Sequence, residues 1–366
     1  HTRYISVTGV QTCALPILGY SRNNNLLVEL AKHEIVSYLQ SDMIISPGYD
    51  QDILAEVEDN CILSATRIEP PLHGISEQTI TRDFGTDPNE FKWDEFQRFA
   101  PTQKTEKILE YFFAPFTFYK RVWTDVGGYD TLFRRSREDS DLLQRFVQKG
   151  VKIKQTFKAN VYHFSCVTSR GKNWFDKENK EAQARTQIQQ MADIIELKRF
   201  IRKWGAFTHE VQKLKRYDID LLWKNGPIEG LANVEYFFNR VWLLDQATKD
   251  SLEGLHKADH SLANQLLKFT LSDWEFASKF YNQTDYDDIY RVGIPEDYNV
   301  LVEIDVSKGL TQAPGADLLN SIIDSYEPGV YEVEGFRITI KNKVDLAENN
   351  IVVNNPPFDY SLLTIE

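Results

Sequence analysis

Three carboxylates fall within residues 138–141, directly after a run that holds a Gly pair and several arginines. Acids are seldom placed this densely at the start of a helix without a ligand. The run equally suits the first turn of a helix, where acids complement the helix dipole. Ser136 and Asp139 are spaced much like a capping box, and Asp141 and Arg145 lie four apart, as a helical ion pair would. The residues alone therefore leave a well-capped helix and a reactive site as alternatives.

The elements around this run are those that would position a site. An aromatic-rich strand is predicted over residues 112–119, and the segment from residue 142 onward has the apolar periodicity of a helix. Gly127 and Gly128 permit positive φ, which would let the following acids approach a ligand. We therefore expect a strand, a tight turn and a helix that begins at the acids.

Another candidate lies upstream. Residues 35–39 form a short apolar run of the strand type, and Asp42 follows it. Ligands gather outside the carboxyl ends of strands in open α/β sheets, which would place Asp42 beside a ligand. The alternative is an ordinary turn residue ahead of Pro47 and Gly48.

Three more candidates lie at strand ends and in a basic loop. Residues 61–71 predict a buried strand, at whose end Arg67 and Glu69 either face a cleft or pair with each other. His163 follows the strands predicted after the acidic helix; a single histidine is more often structural than a ligand. Arg170, in a Ser-Arg-Gly-Lys run, is a candidate diphosphate clamp, with a solvated basic loop as the alternative.

The order of these residues resembles the acceptor-side half of family 2 glycosyltransferases of the A-type fold. The set that carries the resemblance is Asp42, residues 127–130, Glu138, Asp139 and His163, and it covers residues 18–172. The resemblance implies a Rossmann-like α/β domain that moves a sugar from a nucleotide-diphosphate sugar to a glycan or other hydroxyl acceptor with inversion. It makes Asp139 the catalytic base.

The resemblance also implies a cofactor and a set of substrate contacts. Asp42 and His163 would hold a divalent cation, Mn²⁺ or Mg²⁺, under the donor diphosphate. The family has Asp-x-Asp where this chain has Gln40-Ser41-Asp42, so only the last acid is kept. The residues expected to contact substrates are Asp141, Arg137, Arg170, Arg67 and Gly128, with Glu138 beside the base.

Composition limits the partners. The net charge of −12 and a pI near 5.2 argue against a general binder of nucleic acid or anionic membranes. The sequence has no apolar run of the ~18–20 residues that a membrane span needs. Its three cysteines predict neither a disulfide framework nor a zinc site, so a reducing, cytoplasmic location is the expectation.

The chain is long enough for two domains. Residues 1–17 resemble the translation of a sequencing adapter, as found in environmental reads, and we exclude them from the functional reasoning. Residues 18–204 are assigned to the transferase domain, which would lack its first strands. Residues 205–366 predict an α+β domain of unknown role, with helices near 232–244 and 273–281 among its elements. Within the first domain we also predict a helix over residues 26–32, an irregular excursion over 72–108 and two short strands over 151–156 and 159–162. A carbohydrate-binding or scaffolding protein on a decayed transferase fold is the alternative function.

Overall fold

The computed structural model describes residues 20–133, 136–165, 175–267, 289–308, 314–333, 335–351, 353 and 355. The predicted adapter segment, Arg170 and a helix expected at 273–281 lie outside them. The chain divides into two compact units. The first takes the described residues up to Asp193 with 209–212, 353 and 355, and the second takes 194–208 and 213–351.

The first unit is built on a mixed sheet, in which seven strands are described. They are β1 (Ile35–Tyr38), β2 (Met43–Ile45), β3 (Cys61–Glu69), β4 (Thr79–Thr81), β5 (Ile108–Leu109), β6 (Phe116–Tyr119) and β7 (Lys152–His163). The order is β1-β6-β3-β7-β2, with β4 beside β3 and β5 beside β7. β3 and β7 are parallel, so their carboxyl ends meet at the same edge. β3 is buried along nearly its whole length, as expected of a strand with neighbours on both sides.

The helices of this unit are α1 (Tyr20–Leu30), α2 (Tyr49–Glu56), α3 (Trp93–Phe99), α4 (Lys120–Asp125) and α5 (Glu138–Gln148), with the first part of α6 (Lys180–Trp204). Short 3-10 turns span Pro88–Glu90 and Ala100–Gln103. The helix expected after the acids is confirmed as α5. Its Leu142, Leu143 and Phe146 pack with Phe116 and Phe118 of β6 in one apolar cluster, which fixes the helix on the sheet.

Several local expectations for this unit were wrong. The helix predicted from residue 26 also includes residues 20–25, because Asn25 exchanges hydrogen bonds with the main chain of Tyr129, and this tertiary pairing outweighs the weak helix propensity of asparagine. Two strands predicted over 151–162 are the single strand β7, whose register against β3 shifts at Ala65 and Thr66. The irregular excursion expected over residues 72–108 contains β4 and α3.

The second unit also contains a mixed sheet. Its six described strands are β8 (Ile219–Trp223), β9 (Arg240–Leu243), β10 (Tyr290–Val292), β11 (Val300–Ile304), β12 (Gly329–Val333) and β13 (Phe336–Ile340), in the order β10-β9-β8-β11-β13-β12. Its helices are α7 (Ile228–Ala232), α8 (Gln246–Leu267), α9 (Ala316–Ser325) and the later part of α6. Short 3-10 turns span Glu235–Phe237, Val306–Lys308 and Ala347–Ile351.

The α/β class is confirmed, but the α+β expectation for the second unit was wrong. Strands β8 to β11 are parallel, and only β12 and β13 add antiparallel pairs among the described strands. The helix predicted over 232–244 is instead a short turn followed by β9. Val241 and Leu243 alternate with more exposed neighbours, and that period of two belongs to a strand. Among the described residues, none of the helices has the length and apolarity to cross a bilayer.

Candidate functional site

One edge of the first sheet gathers the charged candidates. β3 ends with Arg67 and Glu69, and the parallel strand β7 ends with His163. Asp42 immediately precedes β2, whose first residue Met43 pairs with His163, and the carbonyl oxygen of Asp42 accepts a hydrogen bond of 3.0 Å from the main chain after His163. The topology therefore brings together residues that are more than a hundred positions apart in the sequence.

His163 lies between two carboxylates. Its Nδ1 is 2.6 Å from Oε1 of Glu69, and its Nε2 is 3.6 Å from Oδ2 of Asp42. All three side chains are buried, at 7–9% exposure. Burial alone would lower the pKa of His163, but the Asp42 and Glu69 carboxylates outweigh it, so the pKa is raised above its usual value. The pocket thus favours positive charge at the imidazole.

This arrangement fits a divalent cation with two protein ligands. If Nδ1–H donates to Glu69, Nε2 presents its lone pair on the side of Asp42, the orientation found in carboxylate–histidine–metal sites. Among the residues that the structure describes, no group of three or more His, Cys, Asp or Glu side chains could hold a metal. Asp42 and His163 would therefore need oxygen atoms of a ligand and water to complete a coordination sphere.

Arg67 links this pair to the acidic helix. Its Nη1 lies 3.3 Å from Oε1 of Glu69, and its guanidinium stacks over the ring of Phe113 at 3.9 Å from the centroid. The positive charge of Arg67 lowers the pKa of Asp139 and opposes protonation of His163. Both groups are therefore within its electrostatic range. Of the two alternatives for Arg67 and Glu69, the structure shows their pairing with each other.

Asp139 lies in the first turn of α5, after the helix N-cap Arg137. Arg137 has a left-handed backbone with φ 66°, which costs on the order of 1–2 kcal/mol for a residue with a Cβ. Such strain is concentrated at functional sites. The loss of solvent around the carboxyl group raises the pKa of Asp139, and the 2.6 Å hydrogen bond from the Tyr129 hydroxyl offsets part of that rise. Asp139 is therefore a stronger base than an exposed aspartate.

A cluster of phenol rings supports this carboxylate. Tyr20, Tyr38 and Tyr129 pack against one another with ring centroids 5.8–6.5 Å apart. The hydroxyl of Tyr20 is hydrogen-bonded to Tyr38 and to the side chain of Gln40. Burial is the main reason that the pKa of each of the three phenols is raised well above 10, and the nearby phenols and acids add to the rise. All three phenols therefore stay neutral at physiological pH and can donate hydrogen bonds.

Other predicted site residues have different surroundings. Asp141 is completely buried in an ion pair with Arg145, at 2.8 Å, which is the helix-pairing alternative. Gly128 is buried, and its N–H donates to the carbonyl oxygen of Trp123. Glu138 is buried beside Asp139 in the first turn of α5. These residues build or flank the turn that presents Asp139.

Sequence reasoning missed three members of the site. Glu69 was noticed but not assigned to it, Tyr129 was part of the motif without a role, and His209 was not considered. His209 lies beside α5 although it is 70 residues downstream of Asp139. A histidine in an irregular segment carries no periodic signal, so only the fold could place it there.

Comparisons with known proteins add little. No protein-family model matches the chain, and a search of curated proteins also finds no match. Solved structures do match. One is the crystal structure of GalNAc-T7 with UDP, GalNAc and Mn²⁺, similar over 55% of this chain at 12% identity and a TM-score of 0.31. The chain spans 46% of that protein's length. A likeness this remote carries no weight for the function, which must be inferred from the residues.

Proposed function

We propose that this chain is a glycosyltransferase that moves a sugar from a nucleotide-diphosphate sugar to an acceptor hydroxyl with inversion. The observation that carries the proposal is one edge of the first sheet. It holds the carboxylate–imidazole pair of Asp42 and His163, and the charge of Arg67 acts on both His163 and Asp139. A cation-binding pair and a separate base are what metal-assisted transfer requires. The motif order shared with family 2 glycosyltransferases supports the same conclusion.

Asp139 is the base in this mechanism. Tyr129 holds Oδ1 by its hydrogen bond, and Oδ2 takes the proton from the acceptor hydroxyl as its oxygen attacks the anomeric carbon. The raised pKa of Asp139 brings its basicity closer to neutral pH, where a base is most effective. Inversion follows when the acceptor attacks the face of the sugar opposite the departing diphosphate.

Asp42 and His163 would hold the divalent cation, whose chemistry is to neutralise charge on the diphosphate leaving group. Glu69 orients His163 through Nδ1, and Arg67 adds a fixed positive charge on the same side. Arg67 is itself held by Glu69 and by the Phe113 ring, so it is positioned before any ligand binds. Preorganised charge of this kind is effective because it needs no rearrangement during reaction.

One observation favours the non-catalytic alternative. Gln40 stands where the family has its first acid, and its side chain is hydrogen-bonded to Tyr20. A protein that has lost transfer but still binds carbohydrate would retain the fold, Arg67 and the aromatic cluster. The two functions differ in whether binding of a nucleotide requires the cation.

The first test is thermal unfolding of the chain with Mn²⁺ and a panel of nucleoside diphosphates. Asp42→Ala removes one proposed cation ligand, and Asp125→Ala, an exposed aspartate at the end of α4, is the matched control. A ligand at 100 times its dissociation constant adds about 2.7 kcal/mol to the stability of the folded state. We expect stabilisation that needs both Mn²⁺ and one nucleotide, persists in the control and disappears in Asp42→Ala.

Stabilisation by nucleotide without Mn²⁺, or by free carbohydrate only, would contradict the proposed cation site and favour the binding alternative. Release of sugar from the matching nucleotide sugar onto a hydroxyl acceptor, measured in the same buffer, then tests catalysis directly. The nucleotide that stabilises the protein identifies the donor class.

A further inference from the structure

A short segment that is remote in sequence packs against the helix of the proposed base. Residues 209–212 belong to the first unit, although the residues on either side of them belong to the second. His209 Nδ1 lies 2.9 Å from Oγ of Ser140, the residue after Asp139. The carbonyl oxygen of Glu210 accepts a 3.1 Å hydrogen bond from Gln144, one turn further along α5.

The other ring nitrogen of His209 reaches a second element. Nε2 donates a 3.1 Å hydrogen bond to the carbonyl oxygen of Phe112, and the imidazole packs beside the rings of Phe112 and Phe113. Phe113 is the ring on which Arg67 stacks. One imidazole therefore connects the first turn of α5 to the loop that supports Arg67.

We propose that His209 is a positioning residue for sugar transfer, which holds the Asp139 turn and the Phe112–Phe113 loop in a fixed relation. The inference rests on the proposed function of Asp139 as the base. A base must reach the acceptor oxygen within hydrogen-bond distance, and a displacement of about 1 Å can cost 100-fold in rate. Because the carbonyl of Phe112 can only accept, Nε2 carries a proton, and Nδ1 either accepts from the Ser140 hydroxyl or donates to it.

The electrostatic effect of His209 on Asp139 gives this role a measurable signature. The groups that act on the Asp139 carboxylate are Tyr129, which bonds it, Glu138 beside it in the helix turn, Arg67, His209, and the neutral phenols Tyr20 and Tyr38. His209 and Arg67 both lower the pKa of Asp139. Removal of the imidazole therefore raises that pKa, and the acid limb of the rate profile moves to higher pH.

The experiment compares His209→Ala, His209→Gln and Ser140→Ala with His33→Ala, an exposed histidine of the same unit. We expect His209→Ala to lower kcat for sugar transfer about 10-fold with little change in KM, and to shift the acid limb upward. His209→Gln keeps a donor for Phe112 but lacks the imidazole, so we expect it to restore part of kcat while the acid limb stays at the higher pH. Ser140→Ala gives a smaller loss, and His33→Ala changes neither quantity.

A titration of the Asp139 carboxyl by NMR in wild type and His209→Ala separates this inference from the proposed function. If the wild-type chain transfers no sugar, the proposed function fails, whereas an upward shift of the Asp139 titration in His209→Ala but not in His33→Ala still supports the action of His209 on the Asp139 carboxyl. An unmoved titration overturns it, with or without a loss of kcat. Unchanged kcat in His209→Ala also overturns it.

Discussion

The buried charges beside the second sheet have different partners from those of the candidate site in the first unit. In the second unit, Asp220 accepts hydrogen bonds from Arg240 at 2.9 Å and Trp242 at 2.8 Å. Arg216 of the same unit donates to three main-chain carbonyl oxygens. In the first unit, Asp42 and Glu69 both act on His163, and Asp139 is held by a neutral phenol.

This difference separates structural charge from reactive charge. A buried carboxylate paired with a guanidinium is neutralised within the fold and has little capacity for a ligand. At the candidate site one imidazole lies between two carboxylates and Arg67 pairs with one of them, so charge is shared among several groups and not closed in a single pair. Perturbed groups that face one another at the end of a sheet are therefore the better candidates for function. His256 of the second unit illustrates a structural role, because it is buried against Tyr290 and Glu235.

The largest expected effect is that of Asp139→Asn. The amide keeps an acceptor for Tyr129 but cannot take a proton, so we expect kcat to fall by about 10²–10⁴-fold, the range of a lost general base. The free energy of unfolding should instead increase in this variant. The fold raises the pKa of Asp139, so the ionised form is the one that the fold disfavours.

The sign of the pH dependence follows from that raised pKa. Wild-type stability should fall as pH rises from the unfolded-state pKa of about 4 toward the folded-state value, and then level off. Asp139→Asn cannot ionise and does not lose this stability. The difference in the free energy of unfolding between the variant and wild type should therefore grow as pH rises over that range. Urea unfolding at several pH values measures it. If Asp139→Asn loses both activity and stability at neutral pH, the prediction is wrong and Asp139 is a structural residue like Asp220.

Asp220→Ala tests the second unit, where we expect a loss of stability and no loss of activity. The substitution leaves the Arg240 and Trp242 donors without their buried acceptor, which costs about 1.5–3 kcal/mol. Asp317→Ala, an exposed aspartate in the first turn of α9, should cost less than about 1 kcal/mol. Sugar transfer per folded molecule should remain at the wild-type level. A folded Asp220→Ala protein without transfer activity would break the contrast between the units.

The sequence predicted the central elements of the site well. The helix at the acids and the strand at residues 61–71 could be found because apolar periodicity and Pro residues mark them locally. The order of Asp42, Asp139 and His163 could be recognised from motifs. What locates these residues in space is the parallel pairing of β3 with β7, which local patterns cannot show.

Two failures have a common physical cause. The helical conformation of residues 20–25 depends on the hydrogen bonds between Asn25 and Tyr129, and the contact of His209 with Ser140 depends on a loop from another part of the chain. Both are tertiary interactions between polar side chains with no repeating pattern. The role of Glu69 also depends on tertiary structure, because it is set by the strand end that lies next to the end of β3.

The smallest predicted effect concerns two glycines of the first unit that have nearly the same backbone. Gly128 has φ 70° and Gly150 has φ 68°, so alanine is strained at both by about 1–2 kcal/mol. A Cβ at Gly150 meets no atom within 4 Å, whereas one at Gly128 would lie 2.5 Å from Asn25 Oδ1 and Trp123 Nε1. Gly128→Ala should therefore cost about 1 kcal/mol more than Gly150→Ala in urea unfolding.

Because Asn25 holds the main chain of Tyr129, the extra cost should be accompanied by a loss of transfer activity that Gly150→Ala does not show. Equal costs and equal activities would mean that Asn25 and Trp123 yield freely, and that the turn before Asp139 is less rigid than its contacts indicate.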